Sequence, residues 1–237
     1  SESLNMEFAP EGPKAIPLWI NGHAFLTVAD GFYEVVNPLT GEALRRVPLC
    51  GAAEASEAVN AACNAQPAWA ALTPEARQAH LNALADGLDR YAGHFAKLLG
   101  EETGCAEADA LVEVAAAVAA LRGAAVGKAE VIAVVVDAAR PLAAVAEVVA
   151  PALRAGAAVI VKPSPKAPSA VFALCELTSR AEWPAGVLNL MQGDTAAIDG
   201  LCVAAIDRLV YRGNAALGVD IGAIADAAGM PYEMQAV

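Results

Sequence analysis

The sequence predicts an α/β fold, a mainly parallel β-sheet flanked by helices, with an N-terminal β-hairpin and a helical layer ahead of it. Three observations predict it. From residue 131 onward, apolar β-branched runs alternate with helix-patterned stretches at the spacing of right-handed βαβ crossovers. Val131 to Val136 is apolar at every position rather than every second one, as in a strand buried on both faces. Between residues 53 and 122 the apolar period is instead that of helices.

The elements follow in order. Leu18-Trp19-Ile20 leads into Asn21-Gly22, the pair best suited to a type I′ hairpin turn. A second strand, Phe32 to Val36, ends at the turn residues Asn37-Pro38-Leu39-Thr40-Gly41. Ala58, Val59, Ala62 and Cys63 mark one face of a helix that starts near Ala53 and closes near Trp69. Thr73 then supplies a cap and Pro74 a first helical residue for a helix whose face is Leu81, Leu84, Leu88 and Tyr91. Helices around 92–102 and 107–122 complete the layer, and Gly123 to Lys128 connects it to the first buried strand. Beyond that strand the pattern predicts helix 141–155, strand 157–161, helix 169–182, strand 187–190, helix 194–204, strand 208–211, helix 217–228 and strand 232–237. The expected organisation is a tail over 1–17 and one domain over 18–237, made of hairpin and helices (18–128) and a βαβ core (129–237).

Composition narrows the function classes. Hydrophobic residues are 57% and charged residues 18%, which excludes disorder. The apolar excess is mostly alanine, and stretches such as Val112 to Leu121 are half or less of the ~20 residues a membrane helix needs. A net charge of −12 repels phosphate backbones and anionic lipid, so neither nucleic acid nor membrane is an expected partner. Five scattered cysteines without a C-x-x-C read as reduced thiols, and the N-terminus has no secretory pattern, so a cytoplasmic location is expected. His23, His80 and His94 are too dispersed to predict a metal site.

The segment from Ala150 through Pro151-Ala152-Leu153, Gly156 and Val159-Ile160-Val161 to Lys162-Pro163-Ser164 resembles the helix, strand and loop of the aldehyde dehydrogenase superfamily. Further landmarks agree in order and spacing: Leu18 to Gly22, Asn37-Pro38 with Thr40-Gly41, Trp183 to Asn189, and Gly213 with Gly218. The resemblance covers residues 18 to 237 and implies the nucleotide-binding half of such an enzyme, a Rossmann-like domain, with the family's nucleophilic cysteine expected beyond Val237. It implies a cofactor, NAD(P), held through Lys162, Ser164, Gly193, Gly213, Asn214 and Gly218. Read from the residues alone, Lys162 is equally a solvated loop lysine, and Gly213-Asn214 and Gly193-Asp194 are equally plain strand-to-helix turns capped by Asn214 and Asp194.

Departures from the family pattern decide what is expected of that site. The position of the acidic ribose ligand falls on Pro165, and an unpaired buried donor costs about 1 to 3 kcal/mol, so NAD(P) binding is expected to be weakened. The family's Pro-Trp-Asn-Phe-Pro string aligns with Asp137-Ala138-Ala139-Arg140-Pro141, which puts Ala139 at the oxyanion-stabilising asparagine. Losing such a donor costs about 3 to 4 kcal/mol of transition-state stabilisation. The general-base glutamate aligns with Gln235, which takes no proton, while Glu233 is one step displaced on the same strand face. Cys175 and Cys202 fall on helices, in the pattern of buried small hydrophobes rather than nucleophiles.

The expectation is therefore no catalytic residues and a structural, regulatory or interaction role, with another protein or a second copy as partner. A nucleotide-binding module is the alternative. A third reading, an enzyme of different chemistry, would need Asp137, Arg140 and Asp194 to meet at the strand ends. The family's strand pair for subunit contacts has only Gly123 to Glu130 in its place, so any assembly is expected to use another surface.

Overall fold

A computed structural model describes residues 13–237, so most of the expected 1–17 tail lies outside the described residues. The fold class is as the sequence predicts: a mostly parallel central sheet flanked by helices. The opening segment is richer in strands than its turn signals alone indicate. β1 (Leu18–Ile20) and β2 (His23–Phe25) form the first hairpin, with Asn21 at φ 55° and Gly22 at φ 83°, the two positive values a type I′ turn requires. β3 (Phe32–Val36) pairs with β4 (Ala43–Pro48) in a separate two-stranded sheet. β4 is a strand that the pattern of this segment does not single out, because Arg45 and Arg46 interrupt its apolar positions.

Four helices follow, α1 (Ala52–Ala71), α2 (Pro74–Arg90), α3 (Ala92–Thr103) and α4 (Glu107–Arg122). Thr73 caps α2 as expected, its Oγ1 accepting the Ala76 amide at 3.1 Å. The βαβ core then runs β5 (Val131–Val136), α5 (Pro141–Ala155), β6 (Ala158–Lys162), α6 (Ser169–Arg180), β7 (Leu188–Leu190), α7 (Thr195–Cys202), β8 (Arg208–Gly213), α8 (Ala215–Ala227) and β9 (Tyr232–Ala236). α6 stops two residues short of the expected end because Glu182 turns into the left-handed region at φ 54°. α8 begins two residues early because Asn214 caps it.

The main sheet has the order β2-β1-β7-β6-β5-β8-β9. The five core strands are parallel, and the first hairpin extends them antiparallel through Trp19 opposite Leu190. The chain thus winds outward from β5 to β7, then returns across β5 to build β8 and β9 on its other side. The point of reversal lies between β5 and β8.

Every residue of β5 is buried. Ile132, Val134 and Val136 enter one apolar cluster with α5, α6 and the α2–α4 layer behind them, whereas Val131, Ala133 and Val135 enter a second with α1, α7 and α8. The connection between α4 and β5 is fastened by Arg154, whose guanidinium donates to the carbonyls of Ala120, Leu121 and Ala125 at 3.1, 3.1 and 2.5 Å. Glu113 on α4 receives the Leu142 and Ala143 amides at 2.8 and 3.1 Å, capping α5 from another helix.

The large cluster is keyed by Trp69. It is fully buried, stacks on Trp183 at 5.3 Å between ring centroids, and donates from Nε1 to the Leu153 carbonyl at 2.9 Å. Trp69→Ala is expected to lower unfolding stability by about 3 to 5 kcal/mol, as for other large-to-small core changes. Urea unfolding followed by circular dichroism reads the loss, and a change under about 1 kcal/mol would contradict the packing role given to Trp69.

Candidate functional site at the strand ends

Open parallel sheets bind ligands outside the carboxyl ends of their strands, at the point where the winding reverses. Here that edge carries the residues following β5, β6, β7 and β8, and it opens on a cavity of about 240 Å³ lined among others by Asp137, Lys162, Ser164, Asp194, Ile198 and Leu217. Ligand pockets for small molecules usually span ~300–1,000 Å³. The space is therefore small for a dinucleotide.

The residues picked out in the sequence gather along this edge and are largely engaged with the protein itself. Lys162 ends β6 and is 2% exposed, so it is not a solvated loop lysine. Its Nζ donates to the carbonyls of Pro163 at 2.6 Å and Gly193 at 2.9 Å, which ties the loop after β6 to the loop after β7. Burial pulls the ammonium down to about 8, against the opposing charge of Asp194. Ser164 Oγ accepts the Lys166 amide at 3.2 Å within its own loop.

At the end of β8, Asn214 caps α8, its Oδ1 accepting the amides of Ala216 at 2.8 Å and Leu217 at 3.4 Å. Its own amide donates to Asp137 Oδ2 at 2.7 Å. Gly213 is required by close approach: an added Cβ there would lie 2.6 Å from Asp137 Cγ and from the Tyr211 hydroxyl oxygen. Gly218 lies one turn into α8, buried, and its carbonyl accepts the Tyr232 hydroxyl at 2.6 Å.

Two of these features bear on whether NAD(P) fits. At the ribose end, two protein carbonyls hold Lys162 and Pro165 offers no acceptor side chain. At the phosphate end, a carboxylate already occupies the Asn214 amide. The residues present do not fit the cofactor that the resemblance implies.

Nor does the edge assemble the third reading's trio. Asp137 and Asp194 line the cavity, but Arg140 turns away to pair with Glu147 on α5 at 2.7 Å. Glu147 also takes Arg212 at 2.5 Å, and these two guanidinium hydrogen bonds outweigh the effect of burial and hold its carboxyl below the usual carboxylate range. Arg212 in turn donates to Gln235 Oε1 at 3.3 Å, and Gln235 Nε2 donates to Glu233 at 3.3 Å, so the two β9 residues do share a face. Glu147 has no signal in the sequence, since it reads as one helix-surface carboxylate among many.

The cysteines sit away from the strand ends' open space. Burial raises the thiols of Cys50 to about 12 and Cys202 to about 11, and pushes the fully buried Cys175 further up. Thiols so placed carry no thiolate at neutral pH. His80 packs against Trp69 and Trp183, and no group of His, Cys, Asp and Glu able to hold a metal exists among the described residues. No helix among them is long and apolar enough to cross a membrane.

Comparison with known proteins gives the edge its context. Residues 25–133 and 131–235 match the description "Aldehyde dehydrogenase family". The chain is 30% identical over 213 residues to glutarate-semialdehyde dehydrogenase of Pseudomonas putida, covering 78% of this chain and 44% of that protein. It is 34% identical over 213 residues to N-succinylglutamate 5-semialdehyde dehydrogenase of Caulobacter sp. (strain K31), covering 77% and 42%. The chain thus spans less than half the length of these curated relatives. Among solved structures, lactaldehyde dehydrogenase from Escherichia coli superposes with a TM-score of 0.85 at 25% identity, over 94% of this chain and 52% of that one.

Lys162 generates a prediction about stability. Its folded value near 8 lies below its ordinary value of 10.5, so between those limits the unfolded chain binds more protons and stability rises with pH. Relative to Lys162→Met, the native chain is expected to gain roughly 3 kcal/mol across that window. Urea melts of both proteins at several pH values check it, and a constant difference would show that the ammonium is not desolvated.

Proposed function

The chain belongs to the aldehyde dehydrogenase family, and from that premise we propose that it is a member without catalysis of its own. It serves as a structural or interaction subunit, and its partner is a second copy or a complete dehydrogenase subunit. The observation that carries this reading is Gln235 at the position where the family resemblance calls for a general base. An amide takes no proton at neutral pH, so it cannot activate the water that thioester hydrolysis requires.

The surroundings of Gln235 support the same conclusion. The Arg212 guanidinium donates to its oxygen, and a carboxylate in that place would be held low by the adjacent cation, a poor setting for a base poised near neutrality. Ala139, at the oxyanion asparagine, offers only a backbone amide, and that amide donates to Asp137 Oδ1 at 3.1 Å. Neither the base nor the oxyanion side chain is available, and the two changes lie apart, Ala139 in the loop after β5 and Gln235 on β9.

Purified protein given NAD or NADP at millimolar concentration and a panel of aldehydes is expected to form no reduced nicotinamide above the blank, and Gln235→Glu is expected to leave that unchanged. An aldehyde-dependent absorbance rise from the native chain would end the non-catalytic reading. Light scattering is expected to return a mass above the 24.0 kDa of one chain, alone or with a co-expressed family dehydrogenase. A monomer under both conditions would remove the subunit role.

A further inference from the structure

The turn at the reversal point between β5 and β8 has the parts of an anion site. A strand ends in a glycine that lets a group approach the backbone, and a helix of thirteen residues starts immediately after it. A group does approach that backbone, and it is Asp137. Its Oδ2 accepts the Asn214 amide at 2.7 Å and its Oδ1 the Ala139 amide at 3.1 Å, so both oxygens are fixed. The carboxyl is packed so close to the turn that a Cβ on Gly213 would sit 2.7 Å from Oδ2.

Of the remaining donors of the helix start, the Ala216, Leu217 and Gly218 amides are taken as well. Asn214 Oδ1 receives Ala216 and Leu217, and the Asn214 carbonyl receives both the Gly218 amide at 3.0 Å and the Tyr211 hydroxyl at 2.9 Å. A phosphate entering from the cavity would have to displace a carboxylate held by two backbone amides, and would meet its charge at close range. Of the two lysines that line the cavity, Lys162 is already committed to two carbonyls, and Lys166 is exposed, where solvent and salt screen its charge, so neither offsets that repulsion at short range.

We propose that Asp137 is a built-in anion which closes the reversal-point crevice to phosphate-bearing ligands, making the site select against nucleotides by charge. The selectivity belongs to the turn, and it holds whether or not the chain catalyses a reaction. It predicts an asymmetry between ligands that share a base and ribose but differ in phosphate. Removing the carboxylate frees the Asn214 amide and the end of the helix dipole, which favour a phosphate and have no counterpart for a neutral nucleoside.

The test is isothermal titration of the full chain with ADP and, separately, adenosine. The native protein is expected to show no ADP binding at millimolar ligand. Asp137→Ala is expected to gain at least tenfold in ADP affinity and nothing for adenosine, and Asp137→Asn, which keeps the shape and removes the charge, an intermediate gain. Asp220→Asn, an equal change in net charge on the exposed face of α8, is expected to change neither. The proposal is overturned if the native chain binds ADP as tightly as Asp137→Ala, if neither Asp137 variant gains, or if ADP and adenosine gain alike. Should Asp137→Ala fail to fold, the isosteric Asp137→Asn decides between these outcomes.

Discussion

β5 sets the terms for everything around it. A strand with branched apolar side chains on both faces is stable only if both faces are covered, since leaving one Val or Ile exposed forfeits about 1.5 to 3 kcal/mol. Two helical covers are therefore obligatory, and they come from different parts of the chain. α5 and α6 cover one face, backed by α2, α3 and α4, whereas the other face is closed by α1 together with α7 and α8. α1 precedes the βαβ core by many residues yet completes its second cover. The N-terminal part and the core consequently share one interior.

That sharing explains why the opening hairpin joins the main sheet instead of standing apart. β7 would otherwise be an edge strand with buried residues at all three positions. β1 pairs with it, and Asn189, fully buried, cements the join: its Oδ1 accepts the Asn21 amide at 3.1 Å while its Nδ2 donates to the carbonyls of Gly186 at 2.8 Å and Val159 at 3.3 Å. Two of the landmarks through which the sequence resembles its family, Leu18 to Gly22 and Trp183 to Asn189, thus meet in space. Both are parts of the scaffold.

What could be read from the sequence follows the same division. Elements stabilised by local rules were legible: the Asn21-Gly22 turn, the Thr73-Pro74 helix start, the continuous apolar run of β5 and the alternation behind it. β4 was not, because its pairing with β3 depends on a partner strand and its own pattern is interrupted by Arg45 and Arg46. At the candidate site, sequence reasoning found the positions but not their engagements. Asp137 meets Asn214 across seventy-seven residues and Glu113 caps α5 across about thirty, contacts that no local pattern encodes. In the sequence Lys162 fits either a ligand or a solvated side chain. It is a buried clamp, because its direction is set by strand register: it lies in the interior, opposite Val135 of β5.

The strand ends then acquire a consistent logic. Where an open α/β sheet usually presents unsatisfied donors to a ligand, this one turns them on itself: Lys162 to two carbonyls, Asn214 to Asp137, Arg140 and Arg212 to Glu147. The Lys162 pairing is favourable because an unpaired ammonium in so buried a place would be costly. The residues that depart from the family pattern, Pro165, Ala139 and Gln235, lie along this same edge, whereas Gly22 and Asn189 serve the turn and packing of the hairpin join. Val135 and the covering residues Ile198 and Ile221 also line the strand-end cavity, but Ala139 and Gln235 belong to neither apolar cluster, so substitutions there alter chemistry without weakening β5's burial.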